Sequence, residues 1–226
     1  MSRTRPLPGG GRAVELEPER LARFLQRFAD NHGGAVSTTS DQDEVRVSTG
    51  DGSAATIPVP FAPLHLRDGP TAEQPGLDVA QLVAHLLAPR TVGLVLVRLG
   101  GYSVGVVCDG VVLTAKTGVR PVHGRNAAGG QSQQRFARRR EGQARVALQA
   151  AADAAARVVL PRATELDGVV LGGDRSALQV LADDHRLAGL LDRAESHVLD
   201  VPEPRRAVFD DAARRVRNAE VQLRCS

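Results

Sequence analysis

The sequence predicts an α/β protein, a mixed sheet with packed helices, preceded by a small α+β N-terminal region. Three observations carry this prediction. From Thr91 onward, three apolar, β-branched runs follow one another, separated by tight-turn residues. Beyond the third run, helical and strand patterns alternate, which places helices against a sheet. Before residue 90 the chain offers one amphipathic helix, one hairpin signal and one short helix. The expected organisation is a disordered tail over 1–12, an α+β region over 13–90, and a second domain over 91–226.

Taken in order, residues 1–12 hold Gly9-Gly10-Gly11 and two prolines, a composition that suits a disordered tail. Leu16, Leu21, Phe24, Leu25 and Phe28 then recur at helical spacing, and Asn31-His32-Gly33-Gly34 ends the helix. Val45-Arg46-Val47 and Thr56-Ile57-Pro58-Val59 flank Asp51-Gly52, a hairpin signal, and Pro58 and Pro60 assign the second strand to a sheet edge. Pro63 to Pro75 reads as a loop or linker, and Val79 to Leu87 as a short helix stopped near Pro89.

Val92 to Leu99, Tyr102 to Cys108 and Val111 to Ala115 form a β-meander, joined by Gly100-Gly101 and Asp109-Gly110. Gly118 to Ala128 is a long excursion leaving it. A helix over Gln133 to Val159 follows, with a narrow alanine face at Ala147, Ala150, Ala151, Ala154 and Val158, and Pro161 stops it. Val169-Val170-Leu171, Ser176 to Leu181, Val198-Leu199 and Ala207 to Val221 then read as strand, helix, strand and helix.

Composition narrows the function classes. The chain has 226 residues, 42% hydrophobic and 24% charged, ordinary for a globular protein, with a core resting on Val, Leu and Ala because aromatics make up 3%. No apolar run reaches the ~20 residues that span a bilayer, and Met1-Ser2-Arg3-Thr4-Arg5-Pro6 lacks a signal-peptide segment. Cys108 and Cys225 lie far apart, so a disulfide framework is not expected, and a cytoplasmic monomer is. The net charge of +3 is unevenly spread: seven arginines and one acid, Glu141, lie between Arg120 and Arg145, so the remainder is net acidic. Such local excess is the footprint of a phosphate-contacting patch. Since Lys116 is the only lysine, part of the arginine content is a general bias.

The chain is organised around Asn126-Ala127-Ala128-Gly129-Gly130-Gln131-Ser132, which runs directly into Gln133-Gln134-Arg135-Phe136-Ala137-Arg138-Arg139-Arg140. Adjacent glycines let a backbone approach a ligand closely, and Gln131 adds a neutral amide but no strong base. Behind the tip, Arg135, Arg138, Arg139 and Arg145 recur at helical spacing and share roughly one face. A solvated helix surface is the ordinary reading of such a face. With one acid among seven arginines, contact with RNA is the favoured one. His123 and Arg125 precede the tip and read either as phosphate contacts or as ordinary loop residues.

Gly129-Gly130-Gln131-Ser132 followed by Arg135-Phe136-Ala137-Arg138 resembles the catalytic loop and following helix of the eukaryotic and archaeal class-1 peptide release factors. It is similar as well to the release-factor-like peptidyl-tRNA hydrolases of ribosome quality control, the Vms type. The resemblance runs from about Thr91 to about Arg217 and implies a release-factor middle-domain fold. It implies hydrolysis of the ester between nascent peptide and tRNA in the peptidyl transferase centre of the large subunit, with no cofactor. Gln131, Gly130 and Gly129 would be the catalytic tip, the Gln131 side chain positioning water and excluding larger nucleophiles. The codon-reading Asn-Ile-Lys-Ser loop of stop-codon readers is missing, and no sequence follows Ser226 for a GTPase-binding domain. The expectation is therefore a codon-independent hydrolase acting on stalled ribosomes or large subunits. Two other readings stay open: a ribosome- or rRNA-binding factor without hydrolysis, and a tRNA 3′-end nuclease, which would need a base or metal near the tip.

Other signals have structural explanations. Gly172-Gly173-Asp174 lacks the longer nucleotide-binding fingerprints and reads as a tight turn. The histidines at 32, 65, 85, 123, 185 and 197 show no paired metal spacing, and Asp183-Asp184-His185 reads as a solvated helix end. Cys108 and Tyr102 read as packing residues.

Overall fold

The computed structural model describes residues 3–67, 69–98, 101–119 and 132–226, with the side chains of 132–144 outside that description. The chain divides into two compact units, Met1–Pro89 with Arg217–Ser226, and Arg90–Val216.

The first unit is a seven-stranded antiparallel sheet with two helices. Its elements are β1 (Arg3–Pro6), β2 (Arg12–Leu16), α1 (Pro18–Asn31), β3 (Ala35–Ser40), β4 (Glu44–Thr49), β5 (Ala54–Pro58), β6 (Ala72–Pro75), α2 (Ala80–Leu87) and, from the far end of the chain, β12 (Ala219–Arg224). The strand order is β1-β2-β12-β5-β4-β3-β6. Leu21, Leu25 and Phe28 of α1, with Leu82 and Leu86 of α2, bury against Val14, Val45, Val47, Ile57, Val221 and Leu223. Period-2 alternation on β4, β5 and β12 supplies that face.

Four expectations about this unit change. Residues 3–6 and 12–16 pair as a hairpin in place of a disordered tail, because Gly9, Gly10 and Gly11 all adopt positive φ (77°, 97° and 88°) and reverse the chain. Leu16 belongs to β2, and α1 begins only at Pro18. β5 is interior, between β4 and β12: Pro58 pairs only toward β4, and the β12 ladder stops at Thr56, so the missing proline N–H costs that ladder nothing. The stretch read as a linker contributes edge strand β6, paired with β3.

The fifth change is the largest. The last helix ends at Arg215, and Ala219–Arg224 is a strand wedged between β2 and β5. Its alternation, Ala219, Val221 and Leu223 inward against Glu220, Gln222 and Arg224, is a strand period that a helix would scatter around its surface.

The second unit holds β7 (Thr91–Arg98), β8 (Gly101–Cys108), β9 (Val111–Val119), α3 (Ser132–Val158), β10 (Gly168–Gly173), α4 (Arg175–Ala182), the one-turn α5 (Ala188–Leu191), β11 (Ala194–Leu199) and α6 (Arg206–Arg215), with 3₁₀ turns at Leu160–Glu165 and His185–Leu187. Its sheet has the order β11-β10-β7-β8-β9. β7, β10 and β11 are parallel and the β7-β8-β9 meander is antiparallel, so the architecture is a mixed sheet with packed helices. β7 is buried on both faces from Val92 to Val97, as its uninterrupted apolar run requires. β9 is four residues longer than the run Val111 to Ala115, since Lys116-Thr117-Gly118-Val119 continues its pairing with β8.

Candidate functional site

The geometry around the Gly-Gly-Gln motif follows from strand direction. β9 is antiparallel to β8 and therefore parallel to β7, with Val119 opposite Gly101 and Gly101 opposite Arg98. The carboxyl ends of β7, β9, β10 and β11 thus share one end of the sheet. The chain leaves the described structure there, after Val119, and re-enters it at Ser132, the first residue of α3. His123, Arg125, Gly129, Gly130 and Gln131 lie in between, outside the described residues.

α3 is the lever attached to that segment. Its far end packs at the opposite end of the sheet, where Val159, just past the helix, lies so close to Gly93 of β7 that an added Cβ would come to 2.9 Å from its Cγ1. α3 therefore runs antiparallel to β7, with its N-terminus toward the strands' carboxyl ends. Its 27 residues span about 40 Å, against about 26 Å for an eight-residue strand. Burial matches the difference. Ala147, Leu148, Ala151, Ala152, Ala154 and Ala155 are buried, whereas Arg145 and Val146 are exposed. Ser132 to Val146 accounts for about 22 Å of the helix, and among the described side chains burial begins at Ala147. Positions 135, 138 and 139 lie on this stretch, with their side chains outside the described residues, and Arg145 stands exposed at its base.

Small residues make the buried half close-packing, and polar contacts fix its axis. Arg186 donates to Asp153 of α3 at 2.8 Å and to Asp184 at 2.6 Å, while Gln149 donates to the same Asp153 carboxylate at 3.2 Å. Arg186 holds the Asp184 carboxyl down at about 2, and lowers that of Asp153 as well. The two carboxylates, Asp184 foremost, raise the Arg186 guanidinium in return. Asp184 thus clamps an arginine on α3, in addition to capping a 3₁₀ turn with its side chain.

The departure of β9 is fixed from both faces. On the α3 face, Tyr102 is 8% exposed and packs in the core, its ring over Gly118; a Cβ on Gly118 would stand 2.5 Å from Tyr102 Cε1. On the other face, Thr117 Oγ1 lies 2.8 Å from buried Ser103 Oγ, which donates to the Pro204 carbonyl at 3.2 Å. Phe209 of α6 packs on that side against Gly105. At the same end, Arg98 approaches Asp174 at 3.9 Å and Asp200 at 3.7 Å, so the aspartate of the Gly-Gly-Asp turn faces an arginine of β7. Sequence reasoning found neither Arg98 nor Arg186, because their partners are distant in the chain and no periodic signal links them.

A family model described as Actinobacteria/chloroflexi VLRF1 release factor matches residues 90–222. The chain belongs to that family. It is therefore a release-factor-type chain of the translation-termination and ribosome-rescue group. The match opens at the first residue of the second unit and ends within β12. No curated protein matches significantly. Among solved structures, the chain is similar to the archaeal translation termination factor aRF1, at 12% identity and a TM-score of 0.39, over 88% of this chain and 73% of that one. It is similar to S. cerevisiae Dom34, a translation termination-like factor involved in RNA quality control pathways and interacting with Hbs1, at 9% identity and a TM-score of 0.33, over 93% of this chain. It is also similar to Archaeoglobus fulgidus Pelota, at 14% identity and a TM-score of 0.26, over 95% of this chain. The chain spans 65% of the length of each of the latter two. Among the described residues, no helix is long and apolar enough to cross a membrane.

Proposed function

We propose that the chain is a codon-independent peptidyl-tRNA hydrolase, releasing nascent peptide on stalled ribosomes or large subunits. The observation carrying this reading is Gly129-Gly130-Gln131 placed immediately before a 27-residue helix that starts at Ser132, longer than the strands it packs on, in a chain of a release-factor family. A motif carried this way has the reach to enter a cavity while its base stays in a folded unit.

The reaction asks little of the protein. The ester already has a competent leaving group, so an oriented water and a donor for the developing negative charge suffice. The Gln131 backbone N–H is the donor in this reading, worth about 10²–10³ in rate when preorganised. The Gln131 amide orients the water, and Gly129 and Gly130 let the backbone come close to the terminal adenosine. Arg135, Arg138, Arg139 and Arg145, with Arg125 and His123, contact rRNA or tRNA phosphates along the approach. The second unit carries the chemistry. No described observation favours the non-hydrolytic binder or the nuclease.

The test is incubation with ribosome–nascent-chain complexes carrying intact peptidyl-tRNA, following peptide and tRNA on one gel. Released peptide with full-length tRNA is expected. Shortened tRNA would establish the nuclease, and an unchanged band the binder. Replacing Arg135, Arg138 and Arg139 by alanine should weaken ribosome binding and flatten the slope of log K against log salt by up to about one per lost contact; an unchanged slope in a folded variant would remove the arginines from the site.

A further inference from the structure

Within the first unit, three groups from distant parts of the chain meet. His32 caps the end of α1, Asp51 sits in the turn between β4 and β5, and Cys225 follows β12. His32 Nδ1 lies 2.7 Å from Asp51 Oδ2, and Cys225 Sγ lies 3.9 Å from His32 Nε2, at the outer reach of a sulfur hydrogen bond.

The order of proton donors along this line is determined. Asp51 Oδ1 accepts from Ser53 N and from Thr49 Oγ1, both at 2.9 Å. The Ser53 backbone bond first, and His32 second, hold its carboxyl well below the usual carboxylate range. An ionised carboxylate only accepts, so in the neutral imidazole Nδ1 carries the proton and Nε2 offers its lone pair to the thiol. The ring is backed by Phe28, with centroids 4.6 Å apart, and the Asp51 backbone N–H donates to the His32 carbonyl at 3.1 Å. Beyond Cys225, Ser226 N donates to Ser53 Oγ at 3.2 Å, which holds the chain on the same turn. Cys225 is exposed, so a reagent can reach its sulfur.

We propose that Cys225 is a nucleophilic thiol, with His32 as its base and Asp51 as the carboxylate orienting that base, and that it exchanges with low-molecular-weight disulfides. The Sγ proton passes to His32 Nε2, and the sulfur attacks one sulfur of R–S–S–R. A Cys225–S–S–R bond forms as the reagent's S–S bond breaks. The second sulfur leaves as RS⁻ and takes the proton from His32, so Cys225 is oxidised and half of the reagent is reduced to RSH. Nucleophile, base and orienting acid in one line are the arrangement such an exchange uses.

The experiment uses the full chain carrying Cys108→Ser, which leaves Cys225 as the sole thiol of the two. It is mixed with glutathione disulfide at neutral pH, and bound and free glutathione are followed by mass spectrometry. One glutathionyl group should appear on Cys225 about tenfold or more faster than in His32→Gln or Asp51→Asn backgrounds. Asp51→Asn separates chemistry from folding. Its amide oxygen still accepts from Ser53 and Thr49, but its NH₂ donates to Nδ1, which reverses the tautomer and puts a proton on Nε2. The turn is kept and the base is lost. Circular dichroism verifies that each variant is folded. Equal rates in all three folded proteins, or a rate no faster than that of the chain unfolded in urea, would overturn the proposal.

Discussion

The two units solve the same problem, a sheet needing cover, with opposite chain logistics. Arg90–Val216 is one contiguous stretch in which each strand is followed by its own cover or its own neighbour. The other unit is stitched from both ends of the chain, with β12 inserted between β2 and β5 and 166 residues from β5 in sequence at the nearest pairing, Gln222 with Thr56. Their helices differ as well. α1 fills its core with Leu21, Leu25 and Phe28, whereas α3 lies close to its sheet through alanines. The contrast teaches that closure of the first unit is a long-range event, while the second is built from neighbouring patterns.

Removing residues 217–226 should break this comparison most severely. It takes out an interior strand, and Val221 and Leu223, both buried, are each worth about 1.5–3 kcal/mol. Hydrogen exchange should show amide protection lost across β2, β4 and β5 but retained in β7, β8 and β10. Retained protection in both units would show that β12 is dispensable.

Next in size come changes at the motif, expected to leave the protection of both units untouched. Gln131→Pro removes the backbone donor and should slow single-turnover peptide release about 10²–10³-fold, with Gly130→Ala comparably slow. Gln131→Ala keeps the N–H, so it should release faster than either and accept nucleophiles bulkier than water. Equal rates for Gln131→Pro and Gln131→Ala would rule out the backbone-donor mechanism.

Gly105→Ala strikes the second unit alone. An added Cβ would overlap the Thr114 carbonyl and come to 2.8 Å from Phe209 Cζ, so a loss of about 1–3 kcal/mol is expected. A denaturation midpoint that stays put would mean that both the β9 backbone at Thr114 and α6 yield freely.

The smallest effect is in acid. Asp184 has a folded value of about 2, lowered chiefly by Arg186, so its contribution is complete above about pH 4 and is lost as the pH falls through about 2. Arg186 is exposed although Asp184 is part-buried, and solvent screening at the arginine keeps the effect below about 1 kcal/mol. Urea midpoints of Asp184→Asn should therefore differ from wild type at pH 6 and converge with it near pH 2. A constant difference across that range would mean that the Asp184 charge is not what matters.

By itself the sequence determined the contiguous part of the molecule. The meander, α3, β10, α4 and β11 were all legible, because alternation, helical spacing and Asp109-Gly110 are local signals. So were α1, α2 and the β4–β5 hairpin, and so was the Gly129-Gly130-Gln131 motif with its arginines, a signature that needs no fold to be read. Tertiary structure alone decided where Ala219–Arg224 goes, since alternation specifies a strand but not its partners. It also decided that Pro58 could sit in an interior strand, which depends on where the neighbouring ladder stops. It alone joined Arg186 to α3 and Cys225 to His32 and Asp51, because such pairs are set by side chains meeting after the chain has closed, and no periodicity along the sequence records them.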